Sequence, residues 1–568
     1  MTSRTRLRRA LVAVLAASSA LLAGCAGIPT SGPIEQGDVV APPGSDSFVR
    51  VIAREPVPGM SPEEVVRGFQ EATASQEPGF TVAKKYLTPL AAATWKPERG
   101  VKVYDNSGLA YEQRGDVVAA SGGLSGDIDG EGQWTIAPPG SRLDVRYGLA
   151  RVDGEWRISA PPQGLVLGRA DIDRSYRAFD LYYFTKDFLV LVPAPVTVPL
   201  TEAGLATTLV QSLLEGPTPW IAPSVATGFP VGTRLATTSV PVVDGVAEVA
   251  LSPEAALADD AGRQALSAQL VWTLRQLPEV TAVRITVGGQ PFSVPGVGSV
   301  QSVDSWSSYD PDGVPETFTA YAIDERGLLR MSPDFRLSVQ SELRPAGILP
   351  AVSLDATRLA ALTSNRAQLW EYPLPAESDG TRRYSGVALS RPSFDRTGGL
   401  WVVDQGKGLR LVEGAKSREV PVVGLPEDVA AADISAASVS RDGTRIALLV
   451  QRGSRIEPMV ARIERSGDVV RVAAPRRVDS LLTDSLDLAW ADSGTLVVLG
   501  SSGTSSLEVW RFGVGTTSVR RVGAPDGALT VAAGPNRSVL VGTDDSLYRA
   551  SGQGWTLVGA ASYPVYPG

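Results

Sequence analysis

The second half of the chain repeats one short unit, and that repeat narrows the fold more than any other feature. The unit is a strand, a tight turn carrying an acidic residue or Asn, and then an apolar strand. It recurs at 352–362, 392–403, 438–450, 488–499 and 531–541. The turn residues Asp355, Asp395, Asp442, Asp492 and Asn536 lie 40, 47, 50 and 44 residues apart, the spacing of a four-stranded propeller blade. A single blade cannot bury both of its faces, whereas blades set around an axis bury one another's. Convincing helical periodicity disappears from about Val300. Residues 300–568 are therefore predicted to form an all-β propeller. A further strand set at 317–341 lacks a leading turn. Completing it with the C-terminus of the chain closes a ring of six blades, and five is the alternative count. The turn residues are expected to bond nearby backbone amides rather than to bind calcium or perform chemistry.

Two α+β units are predicted ahead of the propeller. In residues 46–170, Ser61-Pro62-Glu63-Glu64 starts a helix: Ser61 caps, Pro62 suits the first helical position and Glu64 completes a capping box. Val65, Val66 and Phe69 give this helix an apolar stripe, and strands follow at 101–105, 115–121, 133–137, 142–152 and 154–159. A helix packed into a curved antiparallel sheet resembles the cone-shaped NTF2-like domains, here with a filled core rather than a pocket. In residues 171–299, strands are expected at 179–185, 188–198, 246–252 and 280–289. One helix carries Leu205, Leu209 and Leu213 and stops at Gly216-Pro217, and a second carries Leu266, Leu270 and Leu274 and ends at Pro278. The blocks at 213–217, 244–252, 269–274 and 283–290 resemble the GerMN domain. Most of their residues have structural roles as turn glycines, core leucines and a helix-stopping proline. None is an acid, base or nucleophile with a partner.

The N-terminus is informative about location. A basic segment with Arg4, Arg6, Arg8 and Arg9 precedes a 14-residue apolar run from Ala10 to Ala23, and Cys25, the single cysteine, follows at once. That is the layout of a signal peptide (residues 1–24), too short to cross a bilayer comfortably as a permanent helix. Leu22-Ala23-Gly24-Cys25 resembles the bacterial lipobox. The resemblance implies cleavage between Gly24 and Cys25, an S-diacylglycerol on Cys25 and an N-acyl chain at the new terminus. Residues 25–45, rich in Pro and Gly, read as a lipidated tether.

Composition then removes most enzyme chemistry. The chain has no histidine, which excludes Ser-His-Asp and Cys-His catalysis and histidine zinc sites. No S-x-x-K motif, nucleophile elbow or phosphate-binding G-x-x-x-x-G-K-[ST] loop is present. No catalytic residue, metal site or cofactor is predicted. Removing residues 1–24, which hold four Arg and no acid, takes the formal charge from −8 to −12. An acidic chain with no basic run argues against nucleic acid. The remaining candidates for chemistry are carboxylates such as Asp304, Asp310, Asp312, Asp324 and Glu325, and solvated loop acids are the expected background. For sugar binding they are Trp306, Trp370, Trp401, Trp490, Trp510 and Trp555, most of which read as blade core.

The order of lipobox, α+β module, GerMN-like domain and propeller resembles the LpqB family of actinobacterial lipoproteins. The resemblance implies a non-enzymatic accessory of the MtrA–MtrB two-component system, held on the extracytoplasmic face of the cell membrane by its lipid and bound to the sensor kinase MtrB. A cell-wall or glycan-binding lipoprotein is the alternative, and a carboxylate-based hydrolase or lyase the third reading.

Overall fold

The computed structural model describes residues 53–568 apart from 201–203, 316, 376–378, 406 and 504–505. The expected signal peptide, the Gly24–Cys25 cleavage site and the tether lie outside the described residues. Among those described, no helix is long and apolar enough to cross a membrane.

The helix Pro62–Ala74 begins as its sequence dictates. Glu64 N donates to Ser61 Oγ at 3.3 Å, and Ser61 N donates to Glu64 Oε2 at 2.7 Å. Its apolar stripe, Val65, Val66 and Phe69, enters a core with Trp95, Tyr147 and Ile158. The sheet it packs on runs Glu155–Ala160, Arg142–Val152, Val117–Ile128, Val101–Tyr104, Leu165–Gly168, with Ala110–Arg114 and Trp134–Ile136 also paired to the long central strand. The last of these five, Leu165–Gly168, is parallel to Val101–Tyr104. The central strand runs through Gly122, Gly123 and Gly126, beyond the 115–121 expected. Glycine is needed there because neighbours press in. A Cβ at Gly123 would lie 2.0 Å from Asp105 Oδ2, and one at Gly126 2.4 Å from Thr135 O.

The middle domain has two sheets. The hairpin Tyr176–Thr185 and Leu191–Pro199 pairs with Val225–Ala226. A second sheet holds the parallel pair Val246–Leu251 and Ala282–Val287, joined by the helix Asp260–Leu274 because parallel neighbours need a long crossover. This helix is buried on all sides from Ala265 to Leu274, since the hairpin covers the face opposite the sheet. Its polar residues are satisfied inside: Gln269 Nε2 donates to Tyr182 O at 2.9 Å, and Thr273 Oγ1 accepts from Tyr182 N at 3.2 Å. The boundary expected at 299/300 falls ahead of one more strand of this domain. Val300–Ser302 pairs with Ala282–Arg284, and Trp272 Nε1 donates to Trp306 O at 3.2 Å.

The propeller proper starts at Tyr321. Its strands form six sheets, five of four strands and one of five. The innermost strands touch in the cyclic order Ser562–Val565, Ile348–Val352, Ser393–Phe394, Ile434–Val439, Asp484–Trp490, Thr530–Ala532 and back to the first. The ring therefore has six blades, and the C-terminal strand closes it by pairing antiparallel with Tyr321–Ile323. Period-two alternation supplies a core on both faces of a blade. In the first blade, Ala322, Leu329 and Met331 join Leu540 and Tyr566, while Tyr321, Ile323 and Leu328 join Leu359 and Tyr372 of the second blade.

Candidate functional site

Beside its packed core the first domain holds an open cavity of about 970 Å³. Arg67, Gln70 and Glu71 of the helix Pro62–Ala74 form one wall, and Tyr86, Tyr104 and Tyr111 form much of the rest. A chain of hydrogen bonds fixes the aromatics. Gln70 Nε2 donates to Tyr147 Oη at 3.0 Å, the Tyr111 hydroxyl donates to Gln70 Oε1, and Tyr86 Oη donates to Arg54 O at 2.9 Å. The Arg67 guanidinium sits 4.2 Å from the Tyr111 ring centroid and pairs with Glu63 at 2.8 Å. Burial pushes the Tyr104 hydroxyl up to about 12, with Asp171 adding to it, and raises Tyr111 as well. Both phenols are thus neutral donors at ordinary pH. Arg174 pairs with Asp171 at 2.6 Å, yet its buried Nε has no hydrogen-bond partner. The set can bind and orient a polar molecule. Among the described residues no group of three or more metal-ligating side chains comes together.

The other candidates are scattered. Asp304 and Glu325 are exposed. Asp324 pairs with Arg326 at 2.6 Å. Asp310 accepts Asp312 N at 2.9 Å, and Asp312 accepts the amide and hydroxyl of Ser493 at 2.7 Å each. Trp401, Trp490 and Trp510 are blade core at 5% exposure or less, while Trp306, Trp370 and Trp555 are half-buried. The turn residues keep their architectural role. Asp355, Asp395, Asp442 and Asp492 accept the backbone N of Thr357, Thr397, Thr444 and Gly494, and Asn536 takes a φ of 53°. At the propeller axis a space of about 60 Å³ is lined by one acidic side chain, Asp487, paired with Arg391 at 3.4 Å.

Sequence reasoning missed the seams between domains. Trp220 Nε1 of the middle domain donates to Ala474 O at 2.9 Å, and Ser224 Oγ to Ile463 O at 2.7 Å, both in the propeller. Thr197 N donates to Gly132 O of the first domain at 2.7 Å. Arg445, 1% exposed, binds Asp442 Oδ2 at 2.6 Å and reaches Pro193 O at 3.4 Å. Backbone acceptors leave no trace in a sequence. The apolar Trp220 in a Pro-rich loop was the one available signal.

Comparison with known proteins follows the same division. A profile described as the lipoprotein LpqB N-terminal domain matches residues 55–173, one described as sporulation and spore germination matches 180–293, and one described as the lipoprotein LpqB beta-propeller domain matches 341–567. Lipoprotein LpqB of Thermobifida fusca is 31% identical over 610 residues, covering 96% of this chain and 97% of that one. Lipoprotein LpqB of Streptomyces coelicolor is 29% identical, covering 98% of each. Among solved structures, TolB from Acinetobacter baumannii is similar with a TM-score of 0.35 and 15% identity, over 51% of this chain and 84% of that one. The tandem GerMN domains of GerM from Bacillus subtilis match with a TM-score of 0.19 and 20% identity, over 28% of this chain and 59% of that one.

Proposed function

The chain belongs to the LpqB family of lipoproteins, and from that premise we propose that it is a non-enzymatic accessory of a sensor kinase, MtrB of the MtrA–MtrB system. Lipid on Cys25 would hold it to the extracytoplasmic face of the cell membrane. The observation that carries this reading is Leu22-Ala23-Gly24-Cys25 set directly ahead of a three-domain body without histidine. Anchoring confines the protein to the plane of its receptor and raises the effective concentration for binding. Binding then biases the sensor by differential affinity for one of its conformations. The test is Cys25→Ser in cells, read by fractionation, by crosslinking to the sensor kinase and by output of the response regulator. Release into the medium with loss of crosslinking is the expected result. Full signalling from the released protein refutes the role of the anchor, and an anchored protein that never crosslinks to the kinase refutes the partner.

A second reading, binding of a cell-wall glycan, is supported by the tyrosine-lined cavity of the first domain. Hydroxyl and guanidinium donors beside aromatic rings suit a polar, ring-shaped ligand. Retention of the full chain on purified wall, lost in Tyr104→Ala, would favour it; equal retention of that variant would count against it.

A further inference from the structure

The three domains meet around a cavity of about 150 Å³ that is separate from the tyrosine-lined one. Its apolar wall takes Trp134 and Ile136 from the first domain, Trp220 from the second, and Val460 and Val514 from the propeller. An apolar cavity of this volume accommodates one benzene-sized body. Its charged lining is all of one sign: Arg445, Arg476 and Arg477.

These arginines differ in what already satisfies them. Arg477 is paired with Glu457 at 2.6 Å. Arg445 gives Nη2 to Asp442 Oδ2 and to Ser493 O, both at 2.6 Å, but its buried Nε has no acceptor. A buried donor left unpaired destabilises the site until an acceptor reaches it. Arg476 lies 5.1 Å from the Trp220 ring centroid and makes no ion pair within 4 Å among the described residues. Asp129 acts on Arg476, and Asp180 on Arg445, only through space. One uncompensated cation and one orphaned buried donor thus border an apolar space. A group that supplies an oxygen acceptor with negative charge and fills the apolar volume matches both.

We propose that the junction cavity binds a small apolar monocarboxylate, with a body of benzene size against Trp134, Trp220 and Val514 and its carboxylate toward Arg445 and Arg476. Because all three domains supply wall, an occupied cavity fastens them together. The site stands apart from the anchoring and kinase reading and survives the failure of either.

The experiment uses the full chain in detergent with 4-fluorobenzoate as probe, followed by fluorine NMR and thermal melting. Saturable binding with a Kd at or below about 1 mM is expected, together with a rise in melting temperature. The uncharged 4-fluorobenzyl alcohol should bind at least about tenfold more weakly, the equivalent of one hydrogen bond to a charged group. Arg476→Gln should weaken the benzoate by a similar factor, and Val514→Phe should abolish binding by filling the space. Absence of saturable binding, equal affinity for the alcohol, or unaltered binding in Arg476→Gln overturns the proposal. The Arg476 side chain makes no hydrogen bond or ion pair among the described residues, and Gln keeps its backbone pairing with Val460, so this variant decides the matter even where Val514→Phe fails to fold.

Discussion

Closing a ring of blades with the last strand of the chain places a heavy demand on Tyr566, and truncating it tests the closure. Tyr566 is 4% exposed and stacks on Phe318 at 5.6 Å between ring centroids and 14° between planes. Its hydroxyl donates to Ser538 O at 2.9 Å. The side chain therefore links the C-terminal segment to the approach to the first blade and to the sixth blade at once. Removing a buried aromatic to Ala costs about 3–5 kcal/mol, with the lost stacking and the cavity included. For a domain of this size each kcal/mol lowers the melting temperature by about 2–4 °C, so Tyr566→Ala should melt about 6–20 °C lower. Tyr566→Phe keeps the ring and leaves Ser538 O without its donor, a loss of about 1–3 kcal/mol. The assay is thermal unfolding followed by near-ultraviolet circular dichroism, with Leu557→Ala as a control at a side chain 58% exposed. A Tyr566→Ala melt within about 3 °C of the control would mean that the terminal strand does not hold the ring shut.

Four further outcomes follow from buried groups. Arg445→Ala leaves Asp442 fully buried without its cation and should cost about 3–5 kcal/mol, most of it recovered in the double variant Arg445→Met with Asp442→Asn; equal denaturant midpoints for wild type and single variant would refute this. Burial pushes the Asp312 carboxyl up to about 6, with Asp492 adding to it and the Ser493 bonds opposing. A raised acid binds its proton more tightly when folded, so stability falls as pH rises from about 4 to 6, by up to about 3 kcal/mol, and Asp312→Asn should flatten that slope in urea unfolding. The lowered carboxyl of Asp442, held down by Arg445 and by bonds from Thr444 against the cost of burial, acts in the opposite sense: its contribution is present above pH 4 and lost below. Gly68→Ala would drive a Cβ to 2.5 Å from the Tyr86 ring, itself 2% exposed, and should destabilise the first domain by about 1–3 kcal/mol; an unchanged melt would show that the ring can yield.

What could be read from the sequence was whatever local chemistry decides. The helix at Pro62 follows from its capping box, and the blades follow from turn residues that bond their own backbone. Two kinds of element were hidden. The central strand of the first domain passes through Gly122, Gly123 and Gly126, which locally signal a loop and are tolerated because Asp105 and Thr135 approach the backbone there. The helix Asp260–Leu274 shows a leucine stripe but is covered on every side, because the hairpin that covers its other face lies some eighty residues earlier in the chain. The cavity of the first domain was equally hidden: its tyrosines come from three separated segments, and nothing local says that the space between them stays open.

The repeated turns also have a second use that their regularity conceals. In each repeat the Asp or Asn shapes the turn, so the five positions look equivalent in sequence. In space they are not. The turns at Asp442 and Asp492 face the rest of the molecule: Arg445, three residues past Asp442, reaches Pro193 O, and Ser493, next to Asp492, holds Asp312. Most of the other bonds across the seams run from a side chain to a backbone carbonyl, as from Trp220 to Ala474 and Ser224 to Ile463. Such acceptors exist at every residue, so the relative placement of the domains is specified by the few donors and by the two charged side chains, Arg445 and Asp312, that bond across the seam at these turns. Buried charge is costly to leave unpaired. Sliding the propeller against the middle domain would strip Asp312 of both Ser493 bonds and Arg445 of Pro193 O, while Arg445 would keep Asp442 inside the propeller, so the penalty for a wrong register falls chiefly on the Asp312 carboxylate.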